Sequence, residues 1–351
     1  MRVLANNCVC EMKVPKRVEE AHTVDYNPVL GLYVTLNAEL GRVFVWNPAT
    51  GSVVSSFQAT CDGFSDALFL PGKKVGVSYS EPNHGGGIEI YSLDSKKKSK
   101  RSEQPKLLIK GDQLPTTYPG PMALSPKKTL LVADAEYPGE IYEMFIDWDE
   151  LKVLKSRTID LSTDEDVEEL YGDSIFSISH LCCLPDFTVV VYEVGERCII
   201  VTKVRSISED EVESEVLQTI TYYVLHGEKR ELKMVSDEDK LVSGVVHDGE
   251  HLIIAHGDEI VLLESMTEGS TAHLIADTKA KGRCGTGLGI NDEGQLIVCE
   301  DTVIKLFEYN CSPRSLMSLC RNKIRKSTPN YPVRVNKFAI PQILKDYLLY
   351  K

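Results

Sequence analysis

Apolar residues recur along the chain in short bursts rich in Val, Ile, Leu and Tyr, some alternating and some continuous, between clusters of Gly, Pro, Asn and Asp. No helical periodicity is sustained before residue 312, so this pattern predicts an all-β body. One arrangement returns six times: a first strand, a tight polar turn, a strongly apolar second strand, another turn, and a third strand of alternating character. The second strands read GLYVTLNA from Gly31, VGVSYSE from Val75, TLLVADAE from Thr129, FTVVVYEVG from Phe187, HLIIAHGD from His251 and QLIVCED from Gln295. Pro71-Gly72, Pro126-Lys127, Pro185-Asp186, Asp248-Gly249 and Glu293-Gly294 stand between first and second strands, where a sharp reversal is required.

The second strands begin 44 to 64 residues apart. Four short strands with their turns occupy roughly 40 to 50 residues, so each unit fits a four-stranded blade, and the longer intervals imply loop insertions. The expectation is a six-bladed β-propeller, with seven blades as the alternative if residues 205 to 240 carry another. After VIKLFEYN, residues 303 to 310, no fourth strand follows, whereas residues 8 to 15, CVCEMKVP, form an orphan strand before the first unit. That N-terminal strand is expected to complete the last blade, closing the ring and removing an exposed edge. TGLGINDEGQLIVCEDTVIKLFEY and GPMALSPKKTLLVADAEYPGEIYEMF resemble NHL repeats, and VFVWNPATGSVVSSF is similar to a WD repeat; both resemblances imply a propeller.

Charge divides the chain. From Ser312 to Lys351 nine Lys and Arg residues face one acid, Asp346, a net of +8; the overall −13 then leaves −21 on residues 1–311. Such a break marks a separate tail, and the acidic body disfavours nucleic acid and favours a basic target. No run approaches the roughly 20 apolar residues of a membrane-spanning helix, and the start lacks the pattern of a secretory signal. Ten cysteines, mostly scattered, read as reduced thiols, which together with the rest gives an expected location in the cytoplasm or nucleus.

Three loops are expected at 94 to 118, 161 to 174 and 206 to 216. The first holds Lys96-Lys97-Lys98-Ser99-Lys100-Arg101, readable as a nuclear import signal or a solvated loop; the others hold the acidic runs STDEDVEEL and SEDEVESEV. His247, His251 and His256 are close in sequence, but the intervening Asp248-Gly249 turn keeps them off a common helical face, so no metal site is expected. Lactonase-like propeller hydrolases hold calcium in the channel, and Asp25, Asp66, Asn291 and Asp292 stand on or near first strands. Polar strand ends occur in any propeller, however, and no nucleophile motif is present, so neither catalysis nor a cofactor is expected.

The tail has its own pattern. Ser312 and Pro313 suit the start of a helix, and Leu316, Leu319, Cys320 and Ile324 form one apolar stripe along it, with Arg321, Lys323, Arg325 and Lys326 largely off it. A second helix is expected from Pro341, with Ile343, Leu344, Tyr347 and Leu348 on one side. Ser315-Leu316, Leu319-Cys320-Arg321 and Ile324-Arg325 resemble the elongin-binding box of SOCS-box proteins. Phe338-Ala339-Ile340-Pro341 with Leu344-Lys345-Asp346-Tyr347-Leu348 resembles the cullin box of the same module, with Phe338 and Ala339 in place of its first Leu-Pro.

The resemblance implies a propeller over residues 1–311 and a SOCS box over 312–351, its elongin-binding box at 315–325 and its cullin box at 338–348. It further implies a substrate receptor of an elongin–cullin–RING ubiquitin ligase, without catalytic residues of its own. Ser315, Leu316, Leu319, Cys320 and Ile324 would dock elongin C, paired with elongin B; Ile340, Pro341, Leu344, Tyr347 and Leu348 would face a cullin with its RING subunit. The alternative is a propeller scaffold or hydrolase whose two C-terminal helices pack on the propeller as a cap.

Overall fold

The computed structural model describes the strands given below and most of the tight turns between them, together with residues 340, 341 and 345; residues 1–7, 14–20, 94–106, 162–175, 232–241, 278–286 and 308–339, with several shorter stretches, lie outside the description. The described strands form six sheets. After β1 (Cys8–Lys13), blade 1 comprises β2 (Ala21–Asn27), β3 (Leu32–Asn37), β4 (Arg42–Asn47) and β5 (Ser52–Gln58). Blade 2 holds β6 (Phe64–Leu70), β7 (Lys74–Glu81), β8 (Gly85–Ser92) and β9 (Leu107–Ile109). Blade 3 holds β10 (Pro119–Leu124), β11 (Leu130–Asp134), β12 (Glu140–Asp147) and β13 (Lys152–Asp160). Blade 4 holds β14 (Phe176–Cys183), β15 (Thr188–Val194), β16 (Cys198–Ser206) and β17 (Val212–Ile220). A hairpin, β18 (Tyr222–Leu225) and β19 (Glu228–Glu231), precedes blade 5, which is β20 (Val242–His247), β21 (Leu252–His256), β22 (Glu259–Leu263) and β23 (Ala272–Asp277). Blade 6 is β24 (Gly287–Ile290), β25 (Leu296–Glu300) and β26 (Val303–Phe307), completed by β1.

The first strands β2, β6, β10, β14, β20 and β24 touch in that order, and β24 returns to β2, so the sheets form a closed ring. The core is divided among the blade interfaces. Between blades 1 and 2, Val34, Leu36, Val43, Val45 and Phe57 pack against Ala67, Phe69, Val75, Val77 and Tyr91; similar clusters fill the interfaces of blades 2 and 3, 3 and 4, 4 and 5, and 5 and 6. Tyr33, Phe44 and Trp46 meet Ile297 and Ile304 between blades 6 and 1, where the Tyr33 and Trp46 rings cross edge to face at 5.0 Å. Because the second and third strands are covered on both sides, β11, β21 and β22 are buried at every residue. Continuous apolar runs such as LIIAH follow from that burial.

Closure follows the expected route. β1 pairs antiparallel with β26, from Cys8 opposite Phe307 to Lys13 opposite Val303, and covers what would be an open edge. The described residues between 205 and 240 add no seventh blade. Part of that stretch forms β17, and β18 joins blade 5 by running parallel to β23, which widens this sheet to six strands. Two expected loops are also corrected: residues 94 to 118 contain β9, and residues 206 to 216 contain the start of β17. In both, a fourth strand was hidden: β9 has only three residues, and β17 opens on the largely polar VESE.

Each blade is an up-and-down meander, and the first strands all run in one direction around the ring. All turns between first and second strands, and all connections between third and fourth strands, therefore fall on one face, here face A. β26 is a third strand, so the chain leaves the propeller toward residue 308 at face A.

Candidate functional site

The six first strands surround a central channel with a cavity of about 330 Å³, lined by Asp25, Asp66, His180, Cys183, His247 and the backbone between them. Asp25 and Asp66, two of the candidate channel ligands, stand here, but their carboxylates act between blades. Asp25 accepts the N–H of Tyr26 at 2.8 Å on one oxygen and that of Phe69, in the neighbouring blade, at 2.8 Å on the other. Asp66 repeats this one blade on, accepting from Ala67 at 2.7 Å and from Met122 at 2.9 Å. A first strand has one edge toward the channel, where its amides lack a ladder partner, and each aspartate supplies an acceptor to the next blade. Burial holds the Asp25 carboxyl above the usual carboxylate range, against the lowering effect of the Phe69 and Tyr26 amides. Asn291 and Asp292 lie outside the described residues.

The three histidines do not converge. His247 ends β20 opposite Leu252, whereas His256 ends β21 opposite Val242, four residues and about 13 Å along the hairpin. His256 is 2% exposed, and burial lowers its pKa to about 4. Among the described residues no group of three metal-ligating side chains is assembled. Cys182 and Cys183 are free thiols at the end of β14. Burial pushes both up, Cys183 to about 11 despite a hydroxyl donated by Thr188 at 3.7 Å, so neither is a thiolate at neutral pH.

The Lys96 to Arg101 run and the acidic run from residue 162 lie outside the described residues; the second acidic run falls partly in β17. Ser315, Leu316, Leu319, Cys320 and Ile324 also lie outside them, as do Leu344, Tyr347 and Leu348. Ile340 is half-buried and Pro341 exposed, and the Lys345 N–H donates to the Pro341 carbonyl at 3.2 Å. That is the spacing of one α-helical turn, and proline is well tolerated at such a start because its missing N–H has no intrahelical partner there.

Residues 312–349 match the family model described as SOCS box. This is a SOCS-box protein with an N-terminal propeller. No curated protein matches the chain. Among solved structures, the β-propeller domain of Cps50 (Swd1) from Myceliophteria thermophila matches with a TM-score of 0.50 at 10% identity, over 86% of this chain and 100% of that one. A putative gluconolactonase matches with a TM-score of 0.53 at 12% identity, over 87% of this chain and 93% of that one. At such identities these two likenesses concern the fold alone. In this SOCS-box protein the box begins five residues after the last residue of β26, the strand that ends at face A of blade 6.

Proposed function

We propose that this SOCS-box protein is the substrate receptor of an elongin B/C–cullin–RING ubiquitin ligase, its propeller holding a target and its box docking the adaptor, in the cytoplasm or nucleus. The observation that carries the reading is the SOCS-box match at 312–349, attached to a ring that is already closed by its own N-terminal strand. The six blades bury their cores between one another, so the fold makes no demand on the tail for closure. The stripe of Leu316, Leu319, Cys320 and Ile324 is assigned to a groove on elongin C, in the helix-in-groove mode. Burial of Leu316, Leu319 and Ile324 at about 1.5 to 3 kcal/mol each is a gross gain large enough to offset much of the cost of association. Ile340, Pro341, Leu344, Tyr347 and Leu348 are assigned to the cullin.

In this role the chain contributes proximity, holding a target lysine near a charged conjugating enzyme. The Asp25 and Asp66 carboxylates are already engaged by backbone amides, which favours a binding propeller over a hydrolase. The test is the variant Leu316→Ser with Cys320→Ser. It is expected to lose elongin binding while its melting temperature stays within about 1 °C of the native chain, as for surface substitutions. A large fall in melting temperature would instead assign the stripe to a cap packed on the propeller.

A further inference from the structure

The outermost strand of a blade offers its far edge to any other strand, and proteins commonly guard such edges with charge. In blades 1 and 3 the outer strand carries the same irregularity. One extra residue, Val54 in β5 and Leu154 in β13, stands just before the last two pairs of the third strand. Val53, at 37% exposure, Val54, at 58%, and Leu154, at 63%, are the exposed large apolar side chains among the described residues. The two strands differ in what surrounds them. β13 reads KVLKSRTID, with Lys152, Lys155 and Arg157 around the exposed leucine, whereas β5 reads SVVSSFQ and carries no charge.

The neutrality extends beyond the strand. Residues 43–61 hold no Asp, Glu, Lys or Arg, although 26% of the whole chain is charged, so an uncharged rim is particular to blade 1. Outer strands β1, β13, β17 and β19 all carry charged residues, and β9 has only three residues. β5 ends its sheet, with no strand beyond it among the described residues, and its pairing to β4 is regular from Ser55 to Gln58. An uncharged, apolar edge of this length is the kind that pairs with another chain.

We propose that β5 is the contact between two copies of this chain, paired antiparallel edge to edge across a two-fold axis, which joins their blade 1 sheets into one. Composition names this occupant. A strand that meets its own copy sets its residues against the same set, and like charges opposite one another are destabilising. β17, charged only by Glu213 and Glu215, repels itself, as does β13 with three bases against one acid; β19 in register would set Glu228 against Glu231 and Lys229 against Arg230. β5 opposes only serine, valine, phenylalanine and glutamine, and the pairing covers Val53 and Val54. An edge meant for a target strand gains by charge, which selects the target through its complement; neutrality is demanded when the partner is identical. The chain's net −13 opposes approach, but it is screened over about 8 Å at physiological ionic strength and the contact adds no repulsion of its own. Seven residues a side is well short of the roughly 20 to 30 of a stable interface, so the pair is weak, with a Kd on the order of 10 µM, and dilute chain is monomeric. β5 lies at the far side of its sheet from β2, so pairing leaves the channel open, and none of this depends on the receptor reading.

The experiment is sedimentation velocity of the full chain from about 1 to about 100 µM, where the species is expected to pass from monomer to dimer. Val54→Lys and Val54→Glu each place a charge on an exposed position, so both are expected to melt as the native chain does and to dimerise at least about tenfold more weakly. An equimolar mixture of the two is expected to regain the dimer, because opposite charges then meet across the axis. Leu154→Lys, at the matching position of blade 3, is expected to dimerise as the native chain does, and raising salt from about 50 to about 500 mM is expected to strengthen the dimer by screening the net charge. A native chain that stays monomeric throughout, a dimer indifferent to Val54→Lys, or a mixture that stays monomeric would overturn the proposal. A chain ending at Cys311 is run alongside: equal dimerisation supports β5 as the contact, whereas a dimer found with only one of the two lengths assigns the edge, or the contact, to the tail and refutes it.

Discussion

Asp25 and Asp66 show how a residue can be found in the sequence and its work remain hidden. Both are visible as carboxylates near first strands, which fits a channel ligand as well as any other role. Their partners, Phe69 and Met122, are 44 and 56 residues away and in the next blade, beyond what local pattern reveals. Asp66→Ala is expected to destabilise the ring by about 1 to 3 kcal/mol, the cost of leaving amides without their acceptor, measured by urea unfolding. His256 gives a prediction in pH. Its folded pKa is lowered from 6.5 to about 4 by burial, so the unfolded chain takes up a proton first as the pH falls. Stability from this group is present above pH 6.5 and lost between 6.5 and about 4, a change of about 3 kcal/mol over that window. His256→Leu should flatten the melting temperature against pH there relative to the native chain. Asp25 works in the opposite sense: its pKa is raised, so its contribution is full below 3.8 and is lost as the pH rises above it.

Among the elements, second strands were the most legible because burial on both sides forces an unbroken apolar run, as in β15, TVVVYEV, and β21, LIIAH. Outer strands were the least. β19 reads EKRE and is exposed at every residue, so it carries no apolar signal, and β9, LLI, is apolar but too short to show a strand's alternation. The first strands add a further irregularity. β2, β6, β10, β14 and β20 each shift register against their second strand, which bends them where the ring is tightest. β1 was legible by subtraction, since the last unit lacked a strand and an unassigned one remained at the start. Removal of residues 1–13 should expose the β26 edge, and the expected outcome is a lower melting temperature with soluble oligomers in size-exclusion chromatography. An unchanged monomer would mean that closure does not depend on this strand.

For the molecule as a whole, the architecture followed from repetition and the module at residues 312–349 from a short motif, whereas the choice of face did not follow from either. Net charge could not indicate it, because it sums over every face. Topology supplies the exit: strand parity places the end of β26 at face A. The central claim is that the tail engages an adaptor while the propeller stands complete without it. Co-purification of the full chain with elongin B and elongin C, beside a chain ending at Cys311, tests this most directly. A stable ternary complex that is lost on truncation, while the shortened chain remains folded and monomeric, is the predicted result. A full chain that purifies alone, or a shortened chain that unfolds, would contradict it and make the tail a structural cap.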